Sequence, residues 1–90
     1  MRKKRPGLIY NRVREFRMNV GLKQADVAQL VGLRELAIAE AERGKTDPRL
    51  TTKKKLAELF DTTIEYLFPV DEEGQPLLQE DVKKEEAIAA

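Results

Sequence analysis

The sequence predicts an all-α protein, a compact bundle of five helices, and three observations carry that reading. Apolar residues recur at spacings of three and four along successive stretches between residues 8 and 68. Helix breakers fall between those stretches and not inside them, at Gly21, Gly32, Gly44, Pro48 and Pro69. The last stretch opens with a capping signature, Thr62 followed three residues later by Glu65.

The elements follow in chain order. Residues 1–7, MRKKRPG, place Arg2, Lys3, Lys4 and Arg5 before a Pro-Gly breaker and read as a flexible basic arm. A first helix is expected from Leu8 to Asn19, because Ile9, Val13, Phe16 and Val20 share one face, and Gly21 caps its end. The second helix spans Gln24 to Val31, with Ala25, Val27, Ala28, Leu30 and Val31 as its apolar stripe, and Gly32 interrupts it. The third spans Glu35 to Arg43 with a narrower stripe of Ile38 and Ala41, before Gly44 and Pro48 force a loop.

A fourth helix begins near Thr52 and turns Leu56, Leu59 and Phe60 inward. Its first turn then carries Lys53, Lys54 and Lys55, where the helix dipole disfavours cations; a nearby phosphate or plain solvation accounts for them equally. Ile64, Leu67 and Phe68 form a short fifth helix, stopped by Pro69. One folded domain is thus expected over residues 8–69. Residues 70–90 form an acidic tail, disordered or a short helix built on Leu78 and Val82.

Composition narrows the function. Residues 1–70 carry 15 Lys or Arg against 9 Asp or Glu, a net of +6, whereas residues 71–90 carry 2 against 7, a net of −5. A basic folded body with an acidic end favours a polyanionic partner. The chain has no Cys and no His, which removes disulfides, thiolate nucleophiles, zinc-finger sites and the commonest general base together, so an enzyme is not expected. No cofactor, metal or small-molecule ligand is expected either. No apolar run reaches the roughly 18–20 residues of a membrane span, and no signal-peptide segment opens the chain, so a cytoplasmic protein without a membrane partner is expected.

The second and third helices, about two turns each and joined by a short turn containing Gly32, match the supersecondary unit whose second helix enters the DNA major groove. Double-stranded DNA is therefore the expected partner. Gln24 lies in the first turn of its helix, where free backbone N–H groups and the side-chain amide can grip a phosphate. By the helix phase that buries Ile38 and Ala41, the groove-facing residues are Glu35, Leu36, Ala39 and Glu40, with Arg43 toward the end. Glu accepts from cytosine N4, and Leu or Ala touches a thymine methyl.

Taken in order, Gly21, Leu22, Gln24, Val27, Ala28, Val31, Gly32, Ile38, Glu42, Gly44 and Pro48 resemble the pattern of the Cro/C1-type helix-turn-helix family, also called the xenobiotic response element family, which includes phage repressors. The resemblance covers roughly residues 11–68. It implies the lambda-repressor-like arrangement of five helices and a partly buried salt bridge between Arg17 and Glu42. The family's usual hydroxyls are missing here: Arg34 stands at the third helix's cap, Ala37 and Ala39 follow it, and Lys23 precedes Gln24.

With two carboxylates on the groove face, affinity is expected from peripheral phosphate contacts by Arg12, Lys23, Gln24, Arg34, Arg43, Lys45 and Thr46, together with Arg14 and the arm. The resemblance thus implies a sequence-specific transcriptional regulator, a repressor acting as a homodimer on two half-sites. The alternative is a helix-turn-helix protein-interaction module, an antitoxin or repressor antagonist, using Glu35, Leu36 and Glu40 against a protein.

Overall fold

The computed structural model describes residues 7–83. Five helices follow one another in short connections: α1 Val13–Asn19, α2 Gln24–Val31, α3 Glu35–Arg43, α4 Leu50–Leu59 and α5 Ile64–Leu67. A sixth, α6, begins at residue 79 and is helical through 83, the last residue described. No strand occurs among the described residues, although two isolated antiparallel bridges do, Ile9 with Leu78 and Val70 with Pro76.

The helices exist because each contributes a stripe to one shared core. Val13, Val27, Ala28, Val31, Ile38, Leu56, Phe60, Leu67 and Phe68 are buried together, and Phe16, Leu22 and Leu59 pack on them. Phe16 sits between two rings, tilted against Phe60 at 5.9 Å and edge-on to Tyr66 at 5.9 Å. Burial of each large aliphatic side chain contributes about 1.5–3 kcal/mol, so no single helix is stable without the others. The stripes are narrower than the periodicity suggests: Leu30 and Val20 remain more than half exposed, and Ala25 faces solvent.

Three element boundaries differ from the sequence expectation, each for a physical reason. Residues 8–12 lie outside the helix, because their amides bond elsewhere: Ile9 N–H to Gly44 O at 2.9 Å, Tyr10 N–H to Leu77 O at 2.8 Å and Arg12 N–H to Leu67 O at 2.9 Å. Helix α4 starts at Leu50, which puts Lys53–Lys55 in its interior and not against its positive end. Lys53 is moreover paired with Asp47 at 2.7 Å and lies over the Phe68 ring at 5.1 Å. The α5 cap is Thr63, whose hydroxyl accepts from Tyr66 N–H at 3.1 Å, one residue later than the Thr62–Glu65 signature places it.

The acidic segment does not leave the body at Pro69. Asp71 closes a turn in which its carboxylate accepts from Glu73 N–H and Gln75 N–H, both at 2.9 Å. The returning chain lies antiparallel to residues 8–10, with Gln79 N–H donating to Leu8 O at 2.8 Å, and Leu78 is only 4% exposed. Leu78 carries the apolar signal seen in the sequence, but its partners, Gly7 and Ile9, lie about seventy residues away in the chain.

This return tightens the end of α3. Gly44 has φ +84, and a Cβ there would collide with the backbone of Ile9 and with the Gln79 amide. Gly74 has φ +81 but open space around it. Gly44→Ala is therefore expected to cost about 3 kcal/mol, the left-handed strain plus the collision, against about 1 kcal/mol for Gly74→Ala, which carries the strain alone. Thermal melts by circular dichroism read the difference; equal losses would mean that the backbone approach at Gly44 is not tight.

Candidate nucleic-acid interface

The α2–α3 unit is closed by Gly32 in the left-handed conformation at the end of α2 and by Leu33 N–H donating to Ala28 O at 2.8 Å. With Val27, Ala28 and Val31 facing Ile38, α3 is held with its opposite side in solvent. Its cap residue Arg34 makes no side-chain cap bond. At the start of α2 the missing hydroxyl cap is replaced from inside the helix: the Asp26 carboxylate accepts from Lys23 N–H at 2.9 Å. Three residues past Lys23, that acid is the readable half of a capping box.

Beneath this unit lies an ionic cluster. The Arg17 guanidinium donates through Nε to Glu42 Oε2 at 2.6 Å and through a terminal nitrogen to Glu42 Oε1 at 3.1 Å, and its other terminal nitrogen donates to Leu22 O at 2.9 Å. Gln24 adds a third donor to the carboxylate, Nε2 to Glu42 Oε1 at 3.1 Å. The side chains are 13% and 2% exposed for Arg17 and Glu42, so a nearly buried carboxylate is satisfied by three N–H groups from α1 and α2. The hydrogen bond to Glu42 holds Arg17 above its ordinary range, against an opposing pull from burial. A raised pKa on a cation means stability fully present below the unfolded-state value and lost only as pH climbs through the folded one, far into the alkaline range, so the guanidinium confers no pH switch near neutrality.

The expected contact residues fall into two groups. One open groove is lined by Arg14, Arg17, Gln24, Ala39, Glu42 and Arg43, so Gln24 and the α3 residues Ala39 and Arg43 come together on one face. On α3 itself Glu35 and Arg43 are exposed, Leu36 is 63% exposed, and Ala39 and Glu40 are partly covered. Lys23, Arg34, Lys45 and Thr46 are exposed at the adjoining turns. Arg12 is placed elsewhere: it donates to Tyr66 O at 2.6 Å and stacks on the Tyr66 ring at 4.3 Å and the Tyr10 ring at 5.2 Å, tying α1 to α5.

Two further residues at the end of α3 carry no signal in the sequence. Asn11 donates through Nδ2 to Ala41 O at 2.8 Å while its Oδ1 accepts from Val13 N–H at 3.1 Å, which joins the start of α1 to the last turn of α3. Gln79 donates to Arg43 O at 3.0 Å and to Ile9 O at 3.3 Å. Neither is periodic with anything nearby, and the partners they reach on α3 are at least thirty residues away. Among the described residues no group of acids could hold a metal, and no helix is long and apolar enough to cross a membrane.

The ionic cluster makes an asymmetric prediction. Arg17→Met strands the nearly buried Glu42 carboxylate and is expected to cost about 3–5 kcal/mol; Glu42→Leu strands the more exposed Arg17 and costs less. The double variant is expected to lose less than the sum of the two, and urea melts of all three measure it. Strictly additive losses would show that the pair is not coupled.

Comparison with known proteins matches this architecture. The helix-turn-helix family model matches residues 13–67. Two uncharacterized HTH-type transcriptional regulators of Archaeoglobus fulgidus are similar over 62 residues, one 42% identical with 69% of this chain and 89% of the relative covered, the other 39% identical with 69% and 87% covered. Among solved structures, the restriction-modification controller protein C.AhdI of Aeromonas hydrophila superposes with a TM-score of 0.58 at 37% identity, covering 63% of this chain and 86% of that one. The P22 c2 repressor, solved in complex with a synthetic operator, gives a TM-score of 0.63 at 28% identity, covering 67% and 91%. In sequence and in fold alike, this chain belongs to the Cro/C1-type helix-turn-helix family of DNA-binding transcriptional regulators, and not to a family of enzymes.

Proposed function

We propose that this protein is a sequence-specific repressor that binds operator DNA as a homodimer, with α3 in the major groove. The observation that carries the reading is the exposed outer face of α3 beside the start of α2, with Gln24, Ala39 and Arg43 on one groove. The similarity to a repressor solved with its operator supports the same docking. In this reading the start of α2 meets one phosphate; Gln24 spends one N–H on Glu42 and keeps its second for the DNA. Lys23, Arg34, Arg43, Lys45 and Thr46 supply the remaining backbone contacts from the turns on either side of α3.

The bases are then read by an unusual set. Glu35 and Glu40 accept from cytosine amino groups, while Leu36 and Ala39 rest on thymine methyls, so recognition proceeds without an Arg–guanine fork from the body of α3. Glu35 and Glu40 repel phosphates unless the register is right, which makes discrimination strong and the non-specific component weak. Two protomers place two α3 helices on half-sites about one helical turn apart.

Selection from random duplexes, followed by titration across salt, tests this. An enriched inverted repeat, a steep negative log–log salt slope and sedimentation of a two-protomer complex are expected. Lys45→Ala should weaken binding to every sequence alike and make the slope shallower by about one, whereas Leu36→Ala should relax preference at one base step and leave the slope unchanged. Failure to enrich any motif at low salt would overturn the reading in favour of a protein-interaction module.

A further inference from the structure

Glu40 O and Ala41 O near the end of α3 accept from Lys45 N–H and Gly44 N–H, both at 3.0 Å, but the remaining bonds at this end come from residues outside the stretch that matches the family, residues 13–67. A helix leaves its final C=O groups without partners of its own, and something else must take them. Here Asn11 takes Ala41 O at 2.8 Å, Gln79 takes Arg43 O at 3.0 Å, and Ile9 N–H takes Gly44 O at 2.9 Å. The same Gln79 amide reaches Ile9 O at 3.3 Å, and its backbone N–H holds Leu8 O at 2.8 Å. One side chain therefore joins three segments: the root of the N-terminal arm, the end of α3 and the start of α6.

We propose that Gln79 is a positioning residue for DNA binding. Through it, the segment 75–83 sets the place of the last turn of α3 and of the Lys45–Thr46 loop that follows. The inference rests on the operator-binding reading above. Arg43 and Lys45 straddle Gly44, whose backbone is pressed against Ile9 and Gln79, so a shift of this clasp moves both cations relative to a phosphate. Gly7, Ile9, Lys45, Thr46, Pro76 and Leu78 line one small pocket, which places the loop directly beside the returning chain. The acidic segment thus has a working role in the DNA-binding unit, and that unit extends to residue 83, beyond the helices the family shares.

Gln79→Met tests the assignment in the full-length chain, because it keeps size and charge while removing both side-chain donors. With the selected operator, the variant is expected to bind about five- to tenfold more weakly and with a salt slope shallower by about one. Its loss should shrink in a Lys45→Ala background, since the two act through one contact. A purely stabilising residue, in a variant shown folded by circular dichroism, would change neither the slope nor the coupling. Wild-type affinity and slope in Gln79→Met, or a loss additive with Lys45→Ala, would overturn the positioning role and leave the repressor reading intact. Failure of the wild-type chain to bind any duplex would overturn both.

A second measurement needs no variant. If closure of the clasp favours DNA binding, DNA must favour closure by the same factor. The amides of Tyr10 and Gln79, both bonded across the clasp, are therefore expected to exchange several-fold more slowly in the operator complex. Unchanged exchange at these two amides would overturn the proposal.

Discussion

A single carboxylate organises this fold. Glu42 lies near the end of α3 with its side chain 2% exposed, and it is tolerable there only because Arg17 from α1 and Gln24 from α2 satisfy it together. An unpaired charge at that depth would cost more than most of a small domain's stability. The requirement therefore fixes three helices against one another with angular precision that apolar packing does not supply, because hydrogen bonds to a carboxylate are directional and van der Waals contacts are not. The core beneath, from Val13 to Phe68, fills in around that arrangement.

The same cluster ties architecture to function. Gln24 is at once the first residue of α2, a donor to Glu42 and a lining residue of the groove that holds Ala39 and Arg43. A side chain with two N–H groups can serve both duties, which the single hydroxyl donor of a serine at that position would not. At the far end of α3, Asn11 and Gln79 play a comparable part with neutral amides. Helix α3 is thus held at its inner face by charge and at its C-terminal end by amides, and its outer face is left exposed.

The basic body and the acidic end, which the charge count separates, are not separate in space. The chain returns after Pro69, buries Leu78 and pairs with residues 8–10, so residues from the segments 7–9 and 75–78 line one pocket with the loop that follows α3. The price is paid in glycine: Gly44 cannot carry a side chain where Ile9 and Gln79 cross it.

By itself the sequence determined the helical class, the turn at Gly32, the stripes of Val27, Ala28, Val31, Ile38 and Leu56, and the outward face of α3, since all of these follow from local periodicity and from glycine's backbone freedom. The family resemblance supplied the Arg17–Glu42 pairing, which spacing alone does not show. Tertiary structure alone decided that residues 8–12 are not helical, that Arg12 stacks on Tyr66, and that Gln79 seals the end of α3. These depend on pairings across 54, 36 and 70 residues, where one backbone group or one amide meets a partner that no periodicity announces. Local geometry repeats along a chain and leaves a pattern; a long-range hydrogen bond is made once, and leaves none.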